Sequence, residues 1–185
     1  MSIFYTADTH FGHENVIRFC DRPFENEDEM NRVLIANWNA RVADDDDVYV
    51  VGDFAYRCGS SVRDLARSLK GRKHLVVGNH DFKWMRDEEA VAEFVEASPL
   101  LEIDDGDRHV TLCHYPMMEW RNSRRDASWH IHGHIHKDTS GDFWPLLRSM
   151  PHALNAGVDI NHFFPVTFEE LIENNRRWKE KNAYL

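Results

Sequence analysis

Five short blocks hold side chains that can ligate metals: Asp8-Thr9-His10, Gly52-Asp53, Gly78-Asn79-His80-Asp81, His114, and His132-Gly133-His134-Ile135-His136. Each block follows or closes a segment that reads as a buried strand, so each presents oxygen or imidazole donors at a strand end. Together they supply enough hard and borderline ligands for two adjacent divalent metals. A single Asp-x-His pair would carry little weight, because both residues are common in loops. Five such blocks, in register with alternating strands and helices, point to a two-metal hydrolase.

The elements that must position these blocks can be traced along the chain. Ile3 to Ala7 is a short β-prone run ending at Asp8, and Asp8 and His10, two apart on an extended segment, face the same side. Residues 28–42 follow helical spacing through Met30, Val33, Leu34 and Trp38. Val48 to Val51 is a second buried strand, the stretch 60–69 a helix stopped by Gly71, and His74 to Val77 a third strand. This β-α-β-α-β rhythm predicts a sheet with helices outside and active residues at the carboxyl ends of strands. A helix is expected over 87–95. A hairpin follows over 100–104 and 109–113 with an Asp105-Gly106 turn, then strands at 129–132 and 153–156 and a closing helix over 169–181.

Composition bounds the function. The 185 residues, 42% hydrophobic and 29% charged, fit one globular domain, 1–185, with a sizeable core. No apolar run approaches the length of a membrane span, and the first residues lack a signal-peptide pattern, so a cytoplasmic protein with no membrane association is expected. Three isolated cysteines, Cys20, Cys58 and Cys113, suit a reducing compartment, with Cys113 a small buried side chain. The net charge of -10 argues against a protein whose main task is to hold a nucleic-acid backbone. It leaves room for an enzyme that cuts one, since two cations reverse the local field. Asp44 to Asp47 read as a solvated turn.

The order Asp-x-His, Gly-Asp, Gly-Asn-His-Asp, His, Gly-His-x-His resembles the calcineurin-like metallophosphoesterase family. The resemblance runs from Asp8 to His136 and includes the tail Asn155 to Asp159. The opening Asp-x-His-Phe-Gly-His block is similar to that of small, uncharacterised bacterial and phage phosphoesterases. It implies an α/β fold of four layers, α-β-β-α, with two mixed sheets flanked by helices. It implies a first metal on Asp8, His10, Asp53 and His136, and a second on Asp53, Asn79, His114 and His134. Asp53 then bridges the two, and His80 stands beside them as the catalytic imidazole. The implied reaction is hydrolysis of a phosphate ester, a phosphodiester ahead of a monoester, by a hydroxide shared between two divalent ions. A ligand set of carboxylates and imidazoles without thiolate suits Mn or Fe, with Zn and Ni as alternatives.

Further residues are candidates on their chemistry. As imidazolium, His80 could protonate the leaving oxygen or stabilise the phosphoryl oxygens, with Asp81 either orienting it or capping the next turn. His13 could return across the Gly12 turn to touch substrate phosphate. Arg57, and Arg125 in the Arg121 to Arg125 loop, could clamp phosphate, and Trp120 or Trp129 could stack on a base. His132 reads as a packed neighbour of the ligands, and His74, His109, His130, His152 and His162 as structural. The expected substrate is a small or exposed phosphoester, with no obligate protein partner. Two alternatives stand: a nuclease acting on single strands or ends, and a metal-binding regulatory module with little turnover.

Overall fold

The computed structural model describes residues 1–56 and 62–183. Continuous apolar runs make strands buried on both faces, which is what a parallel sheet between helices demands. Strands β1 (Ile3–Thr6), β2 (Asp47–Val51), β3 (Arg72–Val76) and β4 (Glu96–Ser98) pair in that order, all parallel. An antiparallel bridge between Tyr5 and Val166 makes this sheet mixed. The second sheet is β5 (Leu100–Asp105), β6 (Arg108–Cys113), β7 (Ser128–His132) and β8 (Ala153–Asn155); β5 and β6 are antiparallel and the other pairs parallel.

Alternation along the strands divides the core into layers. Phe4, Val48, Val50 and Leu75 face the helices, packing against Met30, Leu34 and Trp38 of α2 (Glu27–Arg41), Leu65 of α3 (Val62–Ser68), and Val16 of α1 (Glu14–Phe19). Their neighbours Tyr5, Tyr49, Val51 and Val76 face the other sheet and meet Val110, Leu112, Ile131 and Leu154. Beyond the second sheet lie α5 (Trp144–Ser149) and α6 (Phe168–Lys181), where Trp144 and Trp178 pack together. The result is the expected sandwich of two mixed sheets between helices. Among the described residues no helix is long and apolar enough to cross a membrane.

Several local expectations are corrected. The hairpin turn is Gly106-Asp107, one residue later than expected, because Asp105 pairs with Arg108. Gly106, at φ +66°, takes the first loop position that a type II′ turn reserves for glycine. The helix expected over 87–95 is only α4 (Glu88–Val91), preceded by a 3-10 turn over Asp81–Arg86 and followed by β4. In the acidic run, Asp44 and Asp45 are exposed but Asp46 and Asp47 are buried. Asp46 accepts the backbone N–H groups of Ser2 and Ala43, and Asp47 pairs with Arg72 and His74.

His130 illustrates a buried imidazole with a structural task. Its Nδ1 faces the Thr111 carbonyl at 3.0 Å and its Nε2 accepts the Met117 N–H at 3.1 Å, which defines a neutral ring. Burial pushes its pKa down to about 4, against the carbonyls of Thr111 and Tyr115. The unfolded imidazole, near 6.5, takes up a proton that the folded one refuses, so stability is full above that pH and falls towards pH 4. This one group accounts for up to about 3 kcal/mol of acid destabilisation. His130→Gln should flatten the dependence between pH 6.5 and 4, read by urea unfolding of both proteins across that range. Parallel profiles for wild type and variant would refute the assignment.

Candidate metal centre

The ligand blocks converge because strands of both sheets end at one edge, and backbone bonds stitch their carboxyl ends together. Asp8 N–H donates to the Gly52 carbonyl, His10 N–H to that of Asp53, Gly133 N–H to that of His114, and Val158 N–H to that of Ala7, all at 3.0 Å. The turns after the strands are sharp. Asp8, His10, Asp53, His134 and His136 all have left-handed backbone, with φ between +49° and +70°. Non-glycine residues adopt this region at a cost, and Asp and His are among those that tolerate it best.

Two ligand groups form within this edge: Asp8, His10 and His136, and Asp8, Asp53 and His114, each with ligand atoms within 4.8 Å of one another. Asp53 Oδ2 lies 3.5 Å from His10 Nε2 and 3.4 Å from His114 Nε2, so one carboxylate oxygen faces both groups. Its other oxygen accepts the His80 N–H at 2.8 Å. Asn79 Oδ1 lies 3.1 Å from His114 Nε2 and 3.0 Å from His134 Nδ1, which gathers the remaining donors. His114 Nδ1 donates to the Val51 carbonyl at 3.0 Å, so in the neutral ring Nε2 carries the lone pair that a metal would need.

Electrostatics follow from burial. Burial raises the Asp53 carboxyl, but the His114 hydrogen bond and the His114 charge, with the His80 N–H, outweigh it and hold the pKa at about 2. Asp8 is pushed up to about 6 by burial, against His136 and His114. His10 is driven well below its ordinary value by burial. Burial also lowers His136, but bonds to Asp159 and Cys20 and the Asp8 and Asp159 charges win and raise it to about 10.

The residues fit a pair of divalent cations. His10 Nε2 is buried without a hydrogen-bond partner, which is costly for a polar atom unless something binds it. The space between the ligands is kept by glycines: a Cβ on Gly78 would lie 2.3 Å from Asp53 Oδ1, one on Gly133 2.6 Å from Asp8 Oδ2, and one on Gly52 2.2 Å from His114 Nδ1. The donor set is oxygen and imidazole nitrogen, suited to borderline first-row metals. A third group, Cys20, His136 and Asp159, also has ligand atoms within 4.8 Å. Its carboxylate is paired with the Arg22 guanidinium at 2.8 Å, so it acts as hydrogen-bonded backing for His136.

All seven candidate ligands, Asp8, His10, Asp53, Asn79, His114, His134 and His136, meet at this edge. His80 is half-buried on the wall of a cleft of about 980 Å³, with His10 5.2 Å and Tyr56 5.2 Å away between ring centres. His13 lines the same cleft, 5.3 Å from His10 and 4.0 Å from Tyr56, and burial lowers its pKa to about 4. Asp81 does not orient His80. Its two oxygens accept the N–H groups of Gly78, Asp53 and Phe54 and the Trp84 indole, so its carboxylate ties the Asp53 and Gly78 turns together.

Arg125 is not at the cleft. It is exposed in the turn that precedes β7, and the ligands follow the other end of that five-residue strand, roughly 15 Å away. Arg121 and Arg124 pair with Glu102 and Glu119. Arg57 lies outside the described residues. His132 is packed, its Nδ1 bonded to the Gly133 carbonyl. Sequence reasoning missed Arg22, Tyr56 and Tyr115, and it named Asp159 within the Asn155 to Asp159 tail without giving it a role. Asp159, two residues after a strand-end glycine, carried a signal of the kind that marked Asp53.

Residues 1–146 match the calcineurin-like phosphoesterase superfamily domain. An uncharacterised protein of Methanocaldococcus jannaschii is 32% identical over 173 residues, covering 92% of this chain and 89% of the relative. The Gene 66 protein of Mycobacterium phage L5 is 27% identical over 162 residues, covering 71% and 76% of the two chains. In shape the chain is similar to a crystal structure of a protein of unknown function from Aquifex aeolicus, with a TM-score of 0.71 and 26% identity over 92% and 97% of the two chains. The chain belongs to the calcineurin-like phosphoesterase superfamily.

If Gly78 keeps the space that Asp53 needs, Gly78→Ala should weaken divalent-ion binding about 10–100-fold while the far-ultraviolet spectrum stays native. Gly106→Ala, whose Cβ would meet nothing within 4 Å, should cost only the strain of its left-handed backbone and leave ion binding intact. Calorimetric Mn²⁺ titration of both variants separates these outcomes; wild-type ion affinity in Gly78→Ala would refute the packing argument.

Proposed function

We propose that residues 1–185 act as one metal-dependent phosphoesterase domain, hydrolysing a phosphodiester in preference to a monoester, in the cytoplasm. The observation that carries this reading is the single Asp53 oxygen facing both His10 and His114. Asp8, His10, Asp53 and His136 would hold one divalent cation, and Asp53, Asn79, His114 and His134 the other. Mn or Fe is the proposed metal, with Zn or Ni able to substitute. Two such ions supply Lewis acidity towards phosphate oxygens and lower the pKa of water.

The chain's own residues supply the rest. His80 is anchored at its backbone by Asp53, and its ring stands on the cleft wall, where it can donate a proton to the leaving oxygen or a hydrogen bond to a phosphoryl oxygen. His13, which lines the same cleft and is kept neutral by burial, would contact the substrate phosphate as a neutral donor. Phe19 and Tyr115, both exposed, extend the cleft walls beyond the histidines. A cleft of about 980 Å³ is far larger than a phosphate group and supports a substrate with a sizeable organic part on the ester. With Arg121, Arg124 and Arg125 outside the cleft, the support for a polymer-cutting nuclease is reduced to the exposed aromatics.

Metal-free protein, supplied in turn with Mn²⁺, Fe²⁺, Ni²⁺ and Zn²⁺, should hydrolyse a bis-aryl phosphodiester faster than an aryl monoester. His80→Ala should lower kcat about 10²–10⁴-fold with ions still bound, and Arg125→Ala should leave it unchanged. Hydrolysis of neither ester by wild type with two ions bound would sink the enzymatic reading and favour a regulatory module.

A further inference from the structure

Arg22 is a buried charge that the ligand set does not use, and its side chain is fully shielded from solvent. Each of its five N–H groups has a partner. Nε and Nη2 donate to the two oxygens of Asp159 at 2.8 and 3.1 Å, Nη2 also to the Asp8 carbonyl at 2.7 Å, and Nη1 to the Thr9 carbonyl at 3.1 Å and the Met30 sulfur at 3.4 Å. The two carbonyls belong to the peptides that join Asp8 to His10, both held in left-handed backbone. On the other side, Asp159 Oδ2 accepts the His136 Nδ1–H at 2.8 Å, so that in the neutral ring Nε2 is the atom that carries the lone pair.

We infer that Arg22, acting with Asp159, is the positioning residue for the metal site formed by Asp8, His10 and His136. One guanidinium holds both halves of that site. It clamps the Asp8-Thr9-His10 turn through its carbonyls, and its two-oxygen fork keeps Asp159 aimed at His136, so that Asp159 sets the tautomer and direction of that ring. At the other site, among the described residues, His114 rests on the Val51 carbonyl and no guanidinium-held carboxylate backs it, while Asn79 and His134 are exposed. Lysine cannot replace this arginine, because an ammonium group cannot form the two-oxygen fork on Asp159 while also reaching two carbonyls.

The inference rests on the proposed pair of metal sites, and its readout is ion binding, independent of turnover. Metal-free protein of residues 1–185 is titrated with Mn²⁺ alone, by calorimetry and by electron paramagnetic resonance of the free ion. Wild type is expected to bind two ions. Arg22→Lys and the isosteric Asp159→Asn should each weaken one ion about 10–100-fold and leave the other unchanged. His114→Ala should weaken the ion those variants spare. The double variant Arg22→Lys/Asp159→Asn should lose little more than either single one, because the two residues act as a unit. Should Arg22→Lys fail to fold, Asp159→Asn carries the test alone.

Wild-type binding of both ions by Asp159→Asn would overturn the inference. So would equal weakening of both ions together with a lowered Tm, which would mark a merely structural role. A wild type that binds two ions but hydrolyses no ester would defeat the phosphoesterase reading and leave the role of Arg22 standing.

Discussion

Asp53 carries its negative charge at 2% exposure, where ionisation is opposed by the loss of water. The charge persists because a His114 hydrogen bond and the charge of that ring favour it from one side, and the His80 N–H donates to the other oxygen. That arrangement constrains everything around it. Gly78 must lack a side chain, the Gly52 turn must admit the His114 ring, and the Asp53 and Phe54 N–H groups must find acceptors, which Asp81 provides. Asp81 therefore serves the site as a buried brace, with its own charge spread over four donors.

The two-sheet architecture makes such a site possible. Parallel strands put all their carboxyl ends on one edge, and two sheets packed face to face bring two such edges together. β1, β2 and β3 deliver Asp8, His10, Asp53 and Asn79, while β6 and β7 deliver His114, His134 and His136. The left-handed turns at five of these residues are the local consequence: a chain leaving a strand must bend at once for its side chain to face inward. The core holds these bends in place, with Leu112, Ile131 and Leu154 of one sheet set against Val51 and Val76 of the other.

Around the ligands lies a layer of hydrogen bonds that is unequal on its two sides. His136 is backed by a carboxylate that is itself held by a guanidinium, whereas His114 is backed by a peptide carbonyl. A carboxylate makes the imidazole it holds a stronger donor than a carbonyl does. The asymmetry would give the two halves of the candidate centre different electronic characters, on top of the difference between the Asp8 carboxylate and the Asn79 amide.

The sequence alone determined β1 and β2 of the first sheet, because Ile3 to Ala7 and Val48 to Val51 are apolar runs too continuous for an exposed surface. It also picked out the blocks that the fold gathers at one edge, because acids, amides and imidazoles right after such runs stand out from the surrounding pattern. It did not reveal α1, too short at six residues for helical periodicity to register, or β4, whose Glu-Ala-Ser lacks an apolar pattern. The placement of charged side chains was decided by tertiary structure. Arg22 and Arg125 look alike as residues in polar loops, yet Arg22 is buried because Asp159, 137 positions away, and two strand-end carbonyls satisfy its donors. Arg125 stays exposed because its turn lies at the far end of β7. Likewise Asp81 beside His80 reads as a catalytic neighbour, and only the fold shows its oxygens facing the backbone of another strand's turn. Hydrophobic periodicity is written locally along the chain, whereas the partner of a charge is set by which distant segments the core brings together.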